Sequence, residues 1–166
     1  PTNPALSATL RHANPFYTSA PIVDVSAADF MSLSHLTTDG GTIGVWIRGG
    51  STNFVGSYLT TSHAAGDGIR FDSVLPGSRL DHISALANGG NGILVNGPID
   101  QIFDSEVSAN QGGGIRLTAQ TGVRLEANRV LDNRGAGIYL EATTFTTGTI
   151  VIGNENLALN RGNLVR

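Results

Sequence analysis

A short phrase returns five times along this chain and leaves few folds open to it. It consists of a glycine, an aliphatic residue, any residue and an apolar one. The copies are Gly44-Val45-Trp46-Ile47, Gly68-Ile69-Arg70-Phe71, Gly92-Ile93-Leu94-Val95, Gly114-Ile115-Arg116-Leu117 and Gly137-Ile138-Tyr139-Leu140, spaced by 24, 24, 22 and 23 residues. Three further registers keep step with the phrase. A polar residue before each glycine aligns as Asp39, His63, Asn88, Asn110, Asn133 and Asn160. Three residues earlier stand Leu36, Thr60, Ala85, Val107, Val130 and Leu157, and eight earlier stand Met31, Val55, Leu80, Ile102, Leu125 and Ile152. Self-similarity at such a period is the mark of a solenoid, in which one short unit cannot bury its own apolar face and neighbours stack to do so.

Each unit holds three apolar patches separated by polar or glycine-rich turns. Apolar, any, apolar is the period-two pattern of a strand, and no unit contains the periodic run that a helix needs. Composition agrees: 22 of 166 residues are glycine and only 14 % are charged, against roughly 25 % charged in an average protein. Gly, Ser, Thr and Asn favour turns over helix interiors. Three short strands and three turns make one triangular coil, and coils stacked at about 4.8 Å form three parallel sheets around one interior. The expected fold is all-β, a right-handed single-stranded parallel β-helix of about six coils of 22–27 residues, spanning 22–166. Its hand follows in part from the rule for parallel crossovers. Like residues then stack: Ile69, Ile93, Ile115 and Ile138 inside, and Asn88, Asn110 and Asn133 as an amide ladder tolerant of left-handed turns. The phrase glycines suit corners too tight for a Cβ.

The ends depart from the pattern. Residues 1–21 carry four prolines and no register, which reads as an N-terminal arm or cap. Ser26 to Met31 has the look of a helical turn, against a register that starts a strand near Phe30. Beyond Glu141 the unit lengthens, with Thr143 to Gly148 as a candidate loop, and Arg161 to Arg166 begins another coil. Pro1 in place of an initiator Met fits a processed or cut chain, and Pro1 to Pro4 show no signal-peptide pattern.

The stretch Val123 to Leu140 (VRLEANRVLDNRGAGIYL) resembles the repeat of the right-handed parallel β-helix, pectate-lyase-like superfamily: mannuronan C5-epimerases, related polysaccharide lyases and phage tailspikes. The resemblance covers roughly Ile22 to Asn160 and rests on core and turn residues. It implies a fold first, and is the other ground for the right-handed sense of the coil. By extension it implies a polysaccharide partner and an extracellular, cell-surface or virion location.

Strand alternation turns one residue of each phrase to solvent. That row reads Trp46, Arg70, Leu94, Arg116 and Tyr139; two residues on runs Arg48, Asp72, Asn96, Thr118 and Glu141. Aromatic rings and guanidinium groups on a flat sheet are what sugar rings and uronate carboxylates require, the first for stacking and the second for bidentate pairing. Trp46, Arg48, Arg70, Arg116 and Tyr139 are therefore the candidate substrate-binding residues. Asp72 and Glu141 are the acid/base candidates if the face is catalytic. A plainer reading stays open: Trp46 over Arg70 as a cation–π stack and Arg48 beside Asp72 as a surface ion pair.

The catalytic sets of the resembled enzymes are absent. There is no Asp-Pro-His motif, the nearest string being Leu80-Asp81-His82, where alternation on a strand sends Asp81 and His82 to opposite faces. Paired polygalacturonase-type aspartates, Gly-His-Gly and lysine are missing as well. His12, His35, His63 and His82 stand 23, 28 and 19 residues apart, with no metal-ligand spacing. His63 is expected as a hydrogen-bonded turn residue in the ladder site, and His35 and His82 as half-buried. Gly66-Asp67-Gly68 and Asn88-Gly89-Gly90-Asn91-Gly92 superficially resemble a calcium-binding nonapeptide, but they recur with the coil and not every nine residues. No cofactor is implied; calcium has no support beyond that likeness.

Zero cysteines exclude disulfides, thiolate metal sites and a thiol nucleophile, and a net charge of −3 gives no footprint for nucleic acid. No apolar run reaches the length of a membrane span. The chain reads as a polysaccharide-binding module, with processing by lyase, epimerase or hydrolase chemistry as its enzymatic form. The alternative is a non-enzymatic structural or adhesive β-helix, such as a tailspike segment, in which a homotrimer buries the Trp46–Tyr139 row.

Overall fold

The computed structural model describes residues 8–11, 19–72, 76–118, 122–141, 150–152 and 155–156. Every regular element among them is a strand, and every pairing is parallel between successive turns. Sheet 1 contains Val23–Ser26, Val45–Arg48, Ile69–Asp72, Ile93–Asn96, Ile115–Thr118 and Ile138–Glu141. Sheet 2 contains Ser32–Ser34, Val55–Ser57, Arg79–Asp81, Gln101–Phe103, Arg124–Glu126 and Ile150–Ile152. Sheet 3 contains Ala8–Arg11, Leu36–Asp39, Thr60–Ser62, Ser84–Leu86, Glu106–Ser108, Arg129–Leu131 and Glu155–Asn156. The chain visits sheets 1, 2 and 3 in turn and climbs one level each time, making about five turns. The lengthened unit after Glu141, with Thr143 to Gly148, and the coil beginning at Arg161 lie outside the described residues, as does His12.

The aliphatic residues of the phrase form one column. Val45, Ile69, Ile93, Ile115 and Ile138 are hydrogen-bond register partners from turn to turn and each is at most 1 % exposed. Ile47, Phe71, Val95, Leu117 and Leu140 form a second column beside it. The phrase glycines supply space, not an unusual backbone angle. A Cβ on Gly68 would lie 2.6 Å from Thr61 Oγ1 and 2.7 Å from the Gly92 carbonyl oxygen. On Gly92 and Gly114 it would run into Val107 Cγ1 and Val130 Cγ1.

Two of the sequence registers need correction at their ends. Sheet 2 stacks Leu33, Gly56, Leu80, Ile102, Leu125 and Val151, where Met31, Val55 and Ile152 were expected at the ends. Sheet 3 stacks Thr38, Thr61, Ala85, Val107, Val130 and Asn156, displacing Leu36, Thr60 and Leu157. At the N-terminal end the cause is volume and the missing anchor. The Phe54 ring fills the interior beside Gly56, where a Cβ would meet Leu80 Cδ2 at 2.7 Å and Phe54 Cε1 at 3.1 Å. The ladder position itself is taken by Ala64, whose N–H donates to Asn88 Oδ1 at 3.1 Å, so His63 stands one residue before it.

The ladder otherwise forms as expected. Asn88 Nδ2 donates to Asn110 Oδ1 at 3.0 Å, and Asn110 Nδ2 to Asn133 Oδ1 at 2.8 Å. The same amides reach the carbonyls of Thr61, Ala85 and Val107. All three asparagines are at most 1 % exposed, so these bonds satisfy groups that water cannot reach. The left-handed backbone falls not on the asparagines but on the residue before each, Ala87, Ala109 and Asp132, with φ of 53°, 58° and 53°, and likewise on His63 before Ala64, with φ of 53°. That residue turns the chain, and the next one points inward.

At the N-terminal end, Ala8–Arg11 pairs in parallel with Leu36–Asp39, so part of the arm is a strand of the stack. Ser26 to Met31 forms no helix; Ala27 and Phe30 have φ of 51° and 55°, and the strand begins at Ser32.

Candidate functional site

Register pairing places Trp46, Arg70, Leu94, Arg116 and Tyr139 in one row on sheet 1, with Asp24 preceding Trp46. Their strands alternate buried and accessible residues, and the row is on the accessible side. The neighbouring row runs Ser26, Arg48, Asp72, Asn96, Thr118 and Glu141. The predicted residues thus share one face, but they divide into two groups with different chemistry.

The N-terminal group is closed on itself. Arg48 binds Asp24 through two bonds, Nε at 2.9 Å and Nη2 at 2.7 Å, and not Asp72. Its guanidinium carbon lies 4.4 Å from the centroid of the Trp46 ring, with that of Arg70 at 5.8 Å. The cation–π contact is therefore closer to Arg48 than to Arg70, the expected partner. Asp72 accepts from Trp46 Nε1, Arg70 Nε and Asn96 Nδ2, each at 2.8 Å. Burial disfavours its charge, yet the bonds from Asn96, Arg70 and Trp46 outweigh that and hold its carboxyl below the usual value. A carboxylate kept ionised by three donors is a poor proton donor and has little basicity to spare.

Glu141 stands three strands from Asp72, about 14 Å at the spacing of a sheet. Carboxylates that cooperate across a glycosidic bond lie about 5–10 Å apart. The structure does not bring the two acid/base candidates together.

The C-terminal group is open. Arg116 and Tyr139 line a cleft of about 480 Å³ together with Asn91, Gly112, Gly113, Gly135 and Ala136. The guanidinium carbon of Arg116 is 5.4 Å from the Tyr139 ring centroid. One of its nitrogens contacts Glu141 Oε2 at 2.9 Å, with the two side chains 45 % and 48 % exposed. The glycines arise from the stacked turns before sheet 1: a Cβ on Gly112 would lie 2.7 Å from the Gly90 backbone, and one on Gly135 2.9 Å from that of Gly113. They leave a shelf of bare backbone.

A second exposed arrangement was not anticipated. His35, Tyr58, His82, Asp104 and Ala127 occupy the corner between sheets 2 and 3, all with φ between 48° and 55°. The His35 and Tyr58 rings stack at 4.8 Å, Tyr58 and His82 at 4.5 Å, and Phe103 meets His82 edge-on at 6.4 Å. The signal was present in the spacing of residues 35, 58 and 82, each two beyond the inward residue of sheet 2. Tyr58 stacks against an imidazole on either side, so its faces are covered, and sugar stacking needs an open face. His82 is exposed and not half-buried. Because it takes the turn, its Nδ1 reaches Asp81 Oδ1 at 3.3 Å, contrary to the alternation expected of a strand. His63 is a hydrogen-bonded turn residue, with Nδ1 2.8 Å from Asp39 Oδ1.

Among the described residues no three His, Asp or Glu side chains converge to hold a metal ion. Asp67, in the calcium-like string, accepts from the backbone and side-chain nitrogens of Asn91 at 2.8 and 2.9 Å. Among the described residues no helix is long and apolar enough to cross a membrane.

Inward aliphatic columns, a buried amide ladder and exclusively parallel pairing are now established. The family model described as right handed beta helix region matches residues 23–164. The chain belongs to the right-handed β-helix family. No curated protein and no solved structure matches it. Membership of the right-handed β-helix family accounts for the fold.

Proposed function

We propose that this right-handed β-helix binds a polysaccharide along sheet 1, with contact concentrated at Arg116 and Tyr139. The observation that carries the reading is the cleft in which a guanidinium and an aromatic ring stand beside a shelf of bare glycine backbone. Rings stack on such surfaces and charged donors orient their substituents. A face that repeats along the solenoid axis suits an extended polymer better than a small solute. Such polymers lie outside cells or on capsules, which is where the reading places the protein.

Binding is favoured over bond cleavage because Asp72 is saturated with donors and Glu141 is too distant to assist it. Trp46, Arg48 and Arg70 act as the rigid end of the face, their polar groups already committed to one another.

The test is calorimetric titration with alginate, pectin and capsular oligosaccharides, alongside assays for unsaturated product and for new reducing ends. At least one polymer is expected to bind, with Arg116→Ala and Tyr139→Ala each weakening it by about tenfold, the scale of one charged hydrogen bond or one stacked ring. Failure of every polymer to bind, or binding unaffected by both substitutions, removes the reading.

A further inference from the structure

The three arginines of sheet 1 described above are held differently, and the difference bears on the ligand. Arg48 is clamped through two bonds to both oxygens of Asp24. Arg70 lies between Asp72 at 2.8 Å, a partly buried carboxylate, and Asp67 at 3.9 Å, a buried one. Arg116 makes one ion-pair bond, to a single oxygen of Glu141, and both partners are about half exposed. A pair of that kind is weak and exchanges readily with solvent. It is also the only one of the three that borders the cleft.

Several polar groups in the floor of the cleft are already committed. Gly112 N donates to the Gly90 carbonyl, Gly113 N to Asn91 Oδ1, and Gly135 N to the Gly112 carbonyl. Asn91 spends its own amide on Asp67. The floor is CH-rich backbone, one wall is the Tyr139 ring, and the charged group at hand is the Arg116 guanidinium. The volume falls in the usual range for small-molecule sites, about 300–1,000 Å³.

Resting on the polysaccharide reading, we infer that the cleft is a subsite for an acidic sugar residue, and that Glu141 is its built-in competitor. The sugar ring lies on the glycine shelf against Tyr139, and its carboxylate takes the guanidinium of Arg116 in place of Glu141. A carboxylate on the ligand gains two parallel bonds where Glu141 makes one. Glu141 keeps the cation neutralised while the site is empty and imposes a charge threshold: a neutral sugar gains too little from Arg116 to displace it. Removing the Glu141 charge frees the guanidinium and removes a like charge from the incoming ligand.

The experiment compares oligogalacturonate with its methyl-esterified form, titrated into the wild-type chain, Glu141→Gln and Arg116→Ala, with circular dichroism confirming the fold of each. The free acid is expected to bind wild type more tightly than the ester. Glu141→Gln should tighten the acid by about fivefold to tenfold while leaving the ester unchanged, and Arg116→Ala should erase the difference between the two. If Glu141→Gln leaves the acid unchanged or weakens it, the competitor role is wrong. If acid and ester bind wild type equally and Arg116→Ala has no effect, the acidic subsite is wrong while polysaccharide binding stands. If neither form binds wild type or Glu141→Gln, and the other polymers fail as well, both readings fall.

Discussion

Two buried hydroxyls, Thr38 Oγ1 and Thr61 Oγ1, have no hydrogen-bond partner, although both residues are 0 % exposed. They stand in the inward column of sheet 3, whose later members are Ala85, Val107 and Val130. The solenoid therefore displays, two and three turns on, the apolar isostere at the equivalent place. Thr61→Val is expected to stabilise the protein by about 1 kcal/mol by removing an unpaired buried polar group, seen as a raised denaturation midpoint with unchanged slope. Val107→Thr should shift it the other way; a loss of stability in Thr61→Val would mean that the hydroxyl has a partner after all. Asn110 is the opposite case. Its side chain accepts from Asn88 N and Nδ2 and donates to the Ala85 carbonyl. Asn110→Ala leaves all of these buried and unmatched, at a cost of about 3 kcal/mol; a denaturation midpoint within error of wild type would show that the ladder adds little.

Among elements, the corner between sheets 2 and 3 is the constant one: from Leu33, Gly56, Leu80, Ile102 and Leu125 the chain takes two steps to a left-handed residue and five to the inward residue of sheet 3. The glycine phrase made sheet 1 legible because its spacing survives in every turn. Sheets 2 and 3 were legible in the turns where Asn88, Asn110 and Asn133 mark the ladder; Ala64, one turn earlier, carries no such mark, so the polar residues Asp39 and His63 shifted the register there, and aligning on Asn160 shifted it by one residue at the other end. The cleft was half legible, since Arg116 and Tyr139 follow from alternation, but the pairing of each arginine depends on rotamers that no spacing encodes. Successive strands near the N-terminal end are tied by carboxylates. The Arg48 bond to Asp24, the His63 bond to Asp39 and the donors around Asp72, which overcome its burial, hold all three below the ordinary value of 3.8. Groups with lowered values add stability above their unfolded value and lose it as pH falls through the folded one. Stability should therefore be flat above about pH 4 and drop below it, with hydrogen exchange rising first in the strands from Val23 to Asp72. Asp72→Asn should flatten that drop; an unchanged acid limb would show that these ties do not link pH to stability.

At the scale of the whole molecule, a solenoid adds stability turn by turn and leaves each sheet as a long outer face that is either a ligand surface or an assembly surface. The rival to a sugar groove was a homotrimer with the Trp46–Tyr139 row buried between chains. Stable obligate interfaces are apolar at their centres and depleted in charge. Sheet 1 carries Asp24, Arg48, Arg70, Asp72, Arg116 and Glu141 on that side. Among the described residues the exposed large hydrophobics are Leu10, Phe30 and Tyr58, none of them on sheet 1. Burying the row would desolvate ion pairs such as Arg48–Asp24 and Arg116–Glu141, and their attraction seldom repays that cost. Sedimentation equilibrium at micromolar concentration is therefore expected to give the mass of one chain. Trp46, the single tryptophan, should remain as accessible to a neutral quencher at high protein concentration as at low. A threefold mass with Trp46 protected on association would overturn this and return the face to an assembly role. A threefold mass with Trp46 unprotected would place any contact between chains elsewhere and leave sheet 1 free for the proposed polysaccharide.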